Sequence, residues 1–258
     1  MGAKRRFARH ALIAIACATL LSSCSISPSP ANSTPKKAWS VVALGDSVPR
    51  GSNCRCTPYP ELSATSFTVP ATREVTATND AVGGFTSSDV LTQLRSDSDV
   101  MSNVAEADVV EIEIGANDVA YNRSCGTSVA CYQPMMGSVE HNLTEIVARV
   151  RELTPGRQVL VILLDYWSVW LGGQYAEAKG PAYVSAADEI TDQVTTVIKG
   201  TAAQTGSAYV DLRAAFKGPQ YADDETRYLA SDGDHPNAAG HEQIAAAVVD
   251  VLTDDLHF

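Results

Sequence analysis

A serine near the start of the chain and an aspartate–histidine pair near its end have the residue types of a nucleophilic catalytic site. Ser47 lies in the segment Leu44-Gly45-Asp46-Ser47, and Asp232 precedes His235 by three residues. A serine hydroxyl is a poor nucleophile at neutral pH unless a histidine takes its proton and a third group orients that histidine. These residues therefore predict acyl-transfer chemistry at Ser47, with His235 as the general base and Asp232 as its orienting residue.

Other ionisable residues close to this pattern are weaker candidates for the same chemistry. Asp234 is adjacent to His235, and the side chains of adjacent residues on a turn diverge, so Asp232 is the better orienting residue. His241 is expected to cap or pack on the last helix. Asp46 is interpreted as a hydrogen-bond anchor for the surrounding loops.

Short apolar runs alternate with amphipathic stretches, which is the pattern of strands and helices in an α/β protein. Strands are predicted over Trp39–Leu44, Arg73–Thr78, Val109–Ile114, Val159–Leu164 and Ala208–Leu212. Helices are predicted from Thr86, over Val139–Leu153, over Pro181–Ala203, and across the apolar face of Ile244, Val248, Val249 and Leu252, with Pro236 in the first turn of this last helix. The predicted fold is a three-layer α/β/α sandwich with a central, mostly parallel five-stranded sheet.

The loops after the first three predicted strands carry the polar residues of interest. In such sheets, sites lie outside the carboxyl ends of the strands. Ser47 follows the first strand, Gly84 the second and Asn117 the third. All three are therefore expected on the same rim of the sheet.

Four segments of the chain resemble the sequence blocks of the SGNH, or GDSL-type, hydrolase family. The resemblance extends from about Val41 to Ile244 and implies a flavodoxin-like fold with no cofactor and no metal. The matching segments, in the family's order, are Gly45-Asp46-Ser47, Asn79-Asp80-Ala81-Val82-Gly83-Gly84-Phe85-Thr86, Gly115-Ala116-Asn117-Asp118 and Asp232-Gly233-Asp234-His235-Pro236.

The family pattern implies three hydrogen-bond donors for an oxyanion hole. They are the backbone N–H of Ser47, the backbone N–H of Gly84 and the side-chain amide of Asn117. Gly83 is the competing register for the second donor. The chain departs from the family at Val48, where many members carry leucine, and this changes an apolar neighbour but no catalytic atom.

The resemblance implies a serine esterase or lipase that hydrolyses carboxylic esters through an acyl-enzyme on Ser47. The alternatives are a carbohydrate or cell-wall O-acetylesterase that uses the same site, and a non-catalytic binding lipoprotein on the same fold. A metallophosphoesterase would need several histidine and carboxylate ligands on the rim. Tyr166, Trp167 and Trp170 follow the fourth predicted strand and either wall an acyl pocket or cover the sheet.

The first residues have the pattern of a bacterial export signal. A basic start precedes the apolar stretch from Ala11 to Leu21, which is too short to span a bilayer. Leu21-Ser22-Ser23-Cys24 resembles a lipobox, which implies a signal peptide over residues 1–23, a lipidated Cys24 and an anchor on the outer face of the cell membrane. An ordinary secretory signal with a chance cysteine is the alternative. Residues 24–37 are interpreted as a flexible tether, and residues 38–258 are interpreted as the hydrolase domain.

The charge of the chain indicates which classes of partner are expected. The formal net charge is −11, and the basic residues of the signal lie outside the predicted domain, which makes that domain more acidic still. Nucleic acid is therefore not expected as a partner. The expected partners are an acyl-ester substrate and, through the lipid on Cys24, the membrane.

Four cysteines remain in the predicted domain, namely Cys54, Cys56, Cys125 and Cys131. An even number of cysteines in an exported protein is typical of disulfides, and four cysteines allow three connectivities. We favour Cys54–Cys56 together with Cys125–Cys131. A zinc site is disfavoured because neither pair has the usual spacing of two intervening residues.

Overall fold

A computed structural model of the protein describes residues 37–256, and a parallel five-stranded sheet forms the centre of this part of the chain. Every neighbouring pair of strands in the sheet is parallel, and the strand order is β2-β1-β3-β4-β5. The strands are β1 (Trp39–Gly45), β2 (Val75–Asn79), β3 (Val109–Glu113), β4 (Leu160–Leu164) and β5 (Ala208–Val210). The predicted fold class is confirmed, and the sheet is parallel throughout.

The helices pack in two groups, one with α2 against α9 and the other with α5 in contact with α3, α4 and α7. These groups flank the sheet and make the outer layers of the sandwich. The helices of the described residues are α1 (Ser47–Arg50), α2 (Tyr59–Ala71), α3 (Ser87–Ser96), α4 (Ser98–Glu106), α5 (Val129–Leu153), α6 (Gly173–Glu177), α7 (Pro181–Thr205), α8 (Leu212–Lys217) and α9 (Ala238–Asp255).

The sheet is covered on both faces, which explains the composition of its central strands. Residues 41–44 of β1 are fully buried, and every residue of β3 is buried. Buried parallel strands are expected as continuous apolar runs instead of alternating ones. Glu111 and Glu113 are the exceptions in β3, and both carboxyl groups are buried.

The strand order places a crevice between β1 and β3. The chain leaves β1 for β2 on one side, and β3 then pairs with β1 on the other side, so the loops after β1 and β3 diverge. Ligands of doubly wound sheets bind at such a switch point. Gly45 and Glu113 are paired in the register at the ends of these two strands, and Ser47 and Asn117 follow them.

Several helices differ from the predicted ones, and the stretch predicted from Thr86 forms two helices, α3 and α4. Helix α2 was not predicted, because prolines at its start and Pro70 inside it weaken the helical pattern. Helix α5 begins at Val129, ten residues before the predicted start, and contains Pro134. The prediction that Pro236 lies in the first turn of the last helix is wrong: Asn237 is the N-cap of α9, because its side chain accepts a hydrogen bond from the Gly240 N–H.

The predicted signal peptide, the predicted lipidation site Cys24 and most of the predicted tether lie outside the described residues. Within residues 37–256, no helix is long and apolar enough to cross a membrane.

Candidate active site

Ser47 is the first residue of α1 and follows β1 through a tight turn. Gly45 has a φ of +146°, and a Cβ at this position would overlap the carbonyl oxygen of Glu113. The N–H of Asp46 donates to that same carbonyl oxygen over 3.3 Å. The turn is therefore fixed against the end of β3, and the serine lies at a helix start where backbone N–H groups have no intrahelical partner.

Asp46 is the buried anchor of this turn, as expected from the sequence. Its Oδ1 accepts the Val48 N–H at 3.0 Å, and its Oδ2 accepts the Tyr166 hydroxyl at 2.6 Å. Burial raises the pKa of Asp46 to about 6, against the opposing effect of these two hydrogen bonds. The carboxylate holds α1 on one side and the segment after β4 on the other.

Asp232 and His235 form a hydrogen-bonded pair. The imidazole Nδ1 lies 2.8 Å from Asp232 Oδ2, and the backbone N–H groups of Asp234 and His235 donate to Asp232 Oδ1, each over 3.1 Å. Partial burial raises the pKa of Asp232, but these bonds, with the amide of Asn53, outweigh it and hold the pKa at about 2. Asp234 Oδ2 is 4.0 Å from Nδ1, so Asp232 is the hydrogen-bond partner of the imidazole.

The glycine segment lies beside the serine. The Phe85 N–H donates to the Val82 carbonyl over 3.2 Å, and Gly84 has a φ of +85°, as in a type II turn. A Cβ built on Gly83 would lie 3.9 Å from the Cβ of Ser47, whereas one on Gly84 would meet nothing within 4 Å. Glycine at position 84 is therefore favoured by backbone conformation and not by lack of space.

Asn117 lies on a short 3₁₀ helix, Ala116–Val119, after β3. Its Nδ2 donates to the Phe85 carbonyl over 2.9 Å, which fixes the orientation of the amide. An amide nitrogen carries two hydrogens, so one is left for a substrate. The 3₁₀ helix is itself fixed to α3, because Asp118 accepts the N–H and the hydroxyl of Ser87 at 2.9 and 2.6 Å.

Ser47, Asn117 and His235 line one cavity of about 540 Å³. Gly84 and Asp232 do not belong to its lining among the described residues, and Asp232 lies behind the imidazole. The other walls are mainly aromatic and aliphatic and include Val48, Tyr121, Tyr166, Trp167, Val169, Trp170, Leu171 and Tyr183. Tyr166, Trp167 and Trp170 all line the cavity, and their side chains are otherwise almost fully buried.

The four cysteines form the two favoured disulfides, Cys54–Cys56 and Cys125–Cys131. The first lies in the loop between α1 and α2, and the second closes the segment that leads into α5. His241 is buried in α9, as expected, and its Nδ1 accepts the Tyr59 N–H at 3.2 Å. Burial lowers the pKa of His241 to about 4, so it is neutral at neutral pH.

Among the described residues, Cys54, Cys56 and His241 form the one cluster with the residue types and closeness of a metal site. Their potential ligand atoms lie within 4.8 Å of one another. The two sulfurs are joined in a disulfide, and a disulfide does not supply the thiolates that bind metals.

Asn53 was not predicted from the sequence as a site residue. It contacts Asp232 and His235 from the loop after α1. Its Nδ2 donates to Asp232 Oδ2 over 2.6 Å and lies 3.3 Å from His235 Nδ1. The two residues in the first bond are 179 positions apart, and no family block contains Asn53. The one signal near it is the adjacent Cys54, for which a disulfide was predicted.

Comparison with known proteins identifies the family. The sequence profile of the GDSL-like lipase/acylhydrolase family matches residues 43–243, and the chain belongs to this family. It is a serine ester hydrolase of the SGNH type. No curated protein matches the chain in sequence.

Solved structures share the fold at low sequence identity. The lipase Lip_vut3 from a goat rumen metagenome is 19% identical with a TM-score of 0.64, over 83% of this chain and 97% of that one. Axe2, an acetylxylan esterase from Geobacillus stearothermophilus, is 21% identical with a TM-score of 0.59, over 85% and 95%. TesA is 18% identical with a TM-score of 0.59, over 84% and 99%.

Proposed function

We propose that the protein hydrolyses carboxylic esters of lipophilic acyl groups, with Ser47 as the nucleophile, His235 as the general base and Asp232 as the residue that orients it. The observation that carries this proposal is the shared cavity of Ser47, Asn117 and His235, with Asp232 bonded to the far side of the imidazole.

In the acylation step, His235 Nε2 takes the proton of the Ser47 hydroxyl as its oxygen attacks the ester carbonyl. The Nδ1–H bond to Asp232 keeps the tautomer in which Nε2 is unprotonated, and it stabilises the imidazolium that forms. The protonated imidazole then gives its proton to the alcohol that leaves. In the second step His235 takes a proton from a water molecule, whose oxygen attacks the acyl carbonyl. The bond to the Ser47 oxygen then breaks, the imidazole returns the proton to Ser47, and the carboxylic acid is released.

The tetrahedral intermediates carry negative charge on the former carbonyl oxygen. We assign its three donors to the backbone N–H groups of Ser47 and Gly84 and to the amide of Asn117. The bond from Asn117 to Phe85 supports this, because it joins the side chain to the residue after Gly84 and holds both donor elements in one arrangement. Gly83 remains the competing register for the second donor.

The cavity supports a lipophilic acyl group. Its walls are mostly aromatic and aliphatic, and Trp170 contacts Tyr132, Tyr121 and Tyr183 at centroid distances of 5.0 to 5.2 Å, which makes one wall a packed aromatic cluster. Burial of a methylene group contributes about 0.8 kcal/mol, equivalent to about fourfold in kcat/KM. Chain length should therefore raise kcat/KM until the cavity is filled.

An acetylated carbohydrate is the second candidate substrate. Tyr121 is 44% exposed and lies at the cavity, where its ring can cover the apolar face of a sugar. One solved structure with the same fold is that of an acetylxylan esterase. A short acyl group on a large alcohol would then be preferred over a long acyl group on a small one.

A panel of p-nitrophenyl esters from acetate to dodecanoate, assayed beside acetylated xylo-oligosaccharides, separates these candidates. The lipophilic proposal expects kcat/KM to rise from acetate to an optimum several methylenes longer. A maximum at acetate, with faster release of acetate from the oligosaccharide, would support the second candidate. Hydrolysis of none of these esters would contradict both.

We further propose that the protein is exported and anchored through a lipid on Cys24. The support is the sequence pattern, since two acyl chains at an amino-terminal cysteine are sufficient for stable anchoring. Cys24→Ala is expected to release the protein from the membrane fraction, whereas Cys17→Ala in the apolar stretch is the matched control. Retention of Cys24→Ala in membranes would contradict the lipid anchor.

A further inference from the structure

We propose that Asn53 is a positioning residue. It holds Asp232, and through Asp232 the general base His235, in place relative to Ser47. This inference rests on the proposed roles of Ser47, His235 and Asp232. Asn53 itself contacts the orienting carboxylate and not the reacting atoms.

Asn53 completes the set of donors around Asp232. Oδ1 of Asp232 accepts two backbone N–H groups from its own turn, and Oδ2 is shared between the imidazole of His235 at 2.8 Å and Asn53 Nδ2 at 2.6 Å. The Asn53 bond is therefore the link in this set that comes from a different part of the chain.

The orientation of the Asn53 amide follows from its partner. An ionised carboxylate only accepts hydrogen bonds, so the nitrogen and not the oxygen of the amide must face Asp232. With a proton on His235 Nδ1, the 3.3 Å contact between Nδ2 and Nδ1 joins two donors and is not itself a hydrogen bond. The amide therefore acts on the imidazole through Asp232.

The backbone holds Asn53 in a conformation that few residues adopt. Its φ is +60°, in the left-handed region, where asparagine, aspartate and glycine are the tolerated residues. Arg55 also has a positive φ, of 55°, and lies between the two cysteines of the Cys54–Cys56 disulfide. This short closed ring immediately after Asn53 restricts the motion of the loop.

Contacts on both sides fix the same loop. The Ser52 N–H donates to the Ser47 carbonyl over 2.9 Å, and the Ser52 hydroxyl lies near Gly83. A ring nitrogen of the buried His241 lies within 4.8 Å of both sulfurs. The loop thus contacts the segment of Ser47, the glycine turn and α9. Through Asn53 it also contacts the pair of Asp232 and His235.

The amide has two consequences for the reaction. It is one of the donors that keep the pKa of Asp232 low, so the orienting residue stays ionised. It also fixes the distance between α1, which carries Ser47, and the loop that carries His235. Proton transfer depends on this distance.

The variants Asn53→Gly and Asn53→Asp test the proposal, because both residues accept a positive φ. Asn53→Gly removes the amide, and kcat is expected to fall about ten- to a hundredfold with little change in KM, the range for the loss of one hydrogen bond to a charged group. The reaction of Ser47 with a fluorophosphonate should slow by a similar factor, which measures activation of the nucleophile without a substrate.

The pH profile of kcat/KM for Asn53→Asp distinguishes a positioning role from a merely structural role, because a merely structural role would leave this profile unchanged. A second carboxylate beside the pair stabilises the imidazolium. The acid limb of the pH profile of kcat/KM should therefore shift to higher pH by about half a pH unit or more. The charged or titratable groups that act on His235 in the native site, Asp232, Asp234, Asp46 and His241, are unchanged in this variant.

The failure of this inference is distinguishable from the failure of the proposed function. If Ser47→Ala abolishes hydrolysis while both Asn53 variants keep the native kcat and pH profile, Asn53 has no positioning role. If Ser47→Ala hydrolyses esters at the native rate, the proposed function itself is wrong. A urea unfolding curve for each variant shows whether it is folded, and a stably folded Asn53→Gly with reduced kcat supports the proposal.

Discussion

The hydroxyl of Tyr166 donates to Asp46 Oδ2 over 2.6 Å, and this buried bond joins the segment after β4 to the start of the nucleophile helix. The other carboxylate oxygen accepts the Val48 N–H, so the two oxygens of Asp46 connect two separate parts of the site. The position of Ser47 thus depends on Tyr166, which lies 120 positions after Asp46 in the chain.

Tyr166→Phe is expected to reduce stability and activity together. It leaves the buried Asp46 with one partner fewer and removes an effect that lowers the pKa of Asp46, so this pKa should rise above about 6. The loss should be about 1–3 kcal/mol in the free energy of unfolding, with a several-fold fall in kcat. Urea unfolding and ester hydrolysis at pH 8 measure both.

Tyr221→Phe is the matched control for this prediction. The Tyr221 hydroxyl also donates to an aspartate, Asp211, over 2.8 Å, but this bond lies outside the cavity and nearer to solvent. The control should lose less stability and retain the native kcat. Equal effects of the two substitutions on kcat would contradict the role assigned to Tyr166.

Asn117→Asp is expected to lower kcat about a hundred- to a thousandfold, the typical effect of losing one oxyanion donor. Aspartate has the same size but, when ionised, donates no hydrogen bond and repels the developing anion. KM should change little, because the donor acts mainly on the tetrahedral intermediate. Asn122→Asp is the control, because Asn122 is not in the cavity lining and its side-chain oxygen, which aspartate retains, accepts the bonds from Ser124 and Cys125. An Asn117→Asp rate near the native one would contradict the assignment.

Glu111→Gln is expected to reduce the pH dependence of stability. Burial raises the pKa of Glu111 to about 8, from 4.5, against the opposing bond from Ser63. Between pH 5 and 7.5 the unfolded chain releases this proton and the native state keeps it, so the free energy of unfolding falls with rising pH. Glu111 contributes about 1.4 kcal/mol per pH unit to that fall.

The measurement is urea unfolding of both proteins at several pH values in this interval. The native protein should lose stability relative to Glu111→Gln as the pH rises, and the difference between the two curves isolates Glu111 because His241 and Asp46 titrate in both. Glu140→Gln, at an exposed residue of α5, controls for the loss of one acidic side chain. Parallel curves for native protein and Glu111→Gln would show that Glu111 is not protonated in the native state.

The two disulfides are expected to differ in their effect on the reaction. The double variant Cys54→Ser/Cys56→Ser releases the loop that carries Asn53, so kcat should fall, as is expected for Asn53→Gly. The double variant Cys125→Ser/Cys131→Ser leaves that loop intact and should mainly lower thermal stability. Circular dichroism melting and kcat for both variants check this, and native kcat in the first would remove the disulfide from the account.

The sequence was sufficient to predict the central strands β1, β3 and β4, because they are buried, mainly apolar runs with glycine or polar residues at their ends. The edge strands β2 and β5 are partly exposed, and β5 ends at Val210, two residues before its predicted end. Ser47, Gly84 and Asn117 follow β1, β2 and β3 as predicted. Helix α2 escaped prediction because its prolines conceal the helical pattern, and α5 was predicted too short for the same reason at Pro134.

The contacts that were not predicted join residues far apart in sequence. Asn53 to Asp232 and Tyr166 to Asp46 are single hydrogen bonds without a local motif. An asparagine in a loop and a tyrosine after a strand are each compatible with many surroundings, so only the fold shows which carboxylate each one meets. Asp232 itself was predictable because it precedes His235 by three positions on one turn.

The hydrolysis of a p-nitrophenyl ester by the purified protein, measured for native chain and Ser47→Ala side by side, tests the central claim most directly. Ser47→Ala is expected to lower kcat by at least about a thousandfold while the urea unfolding curve stays close to the native one. Equal rates for a folded Ser47→Ala and the native protein would contradict the claim that Ser47 is the nucleophile.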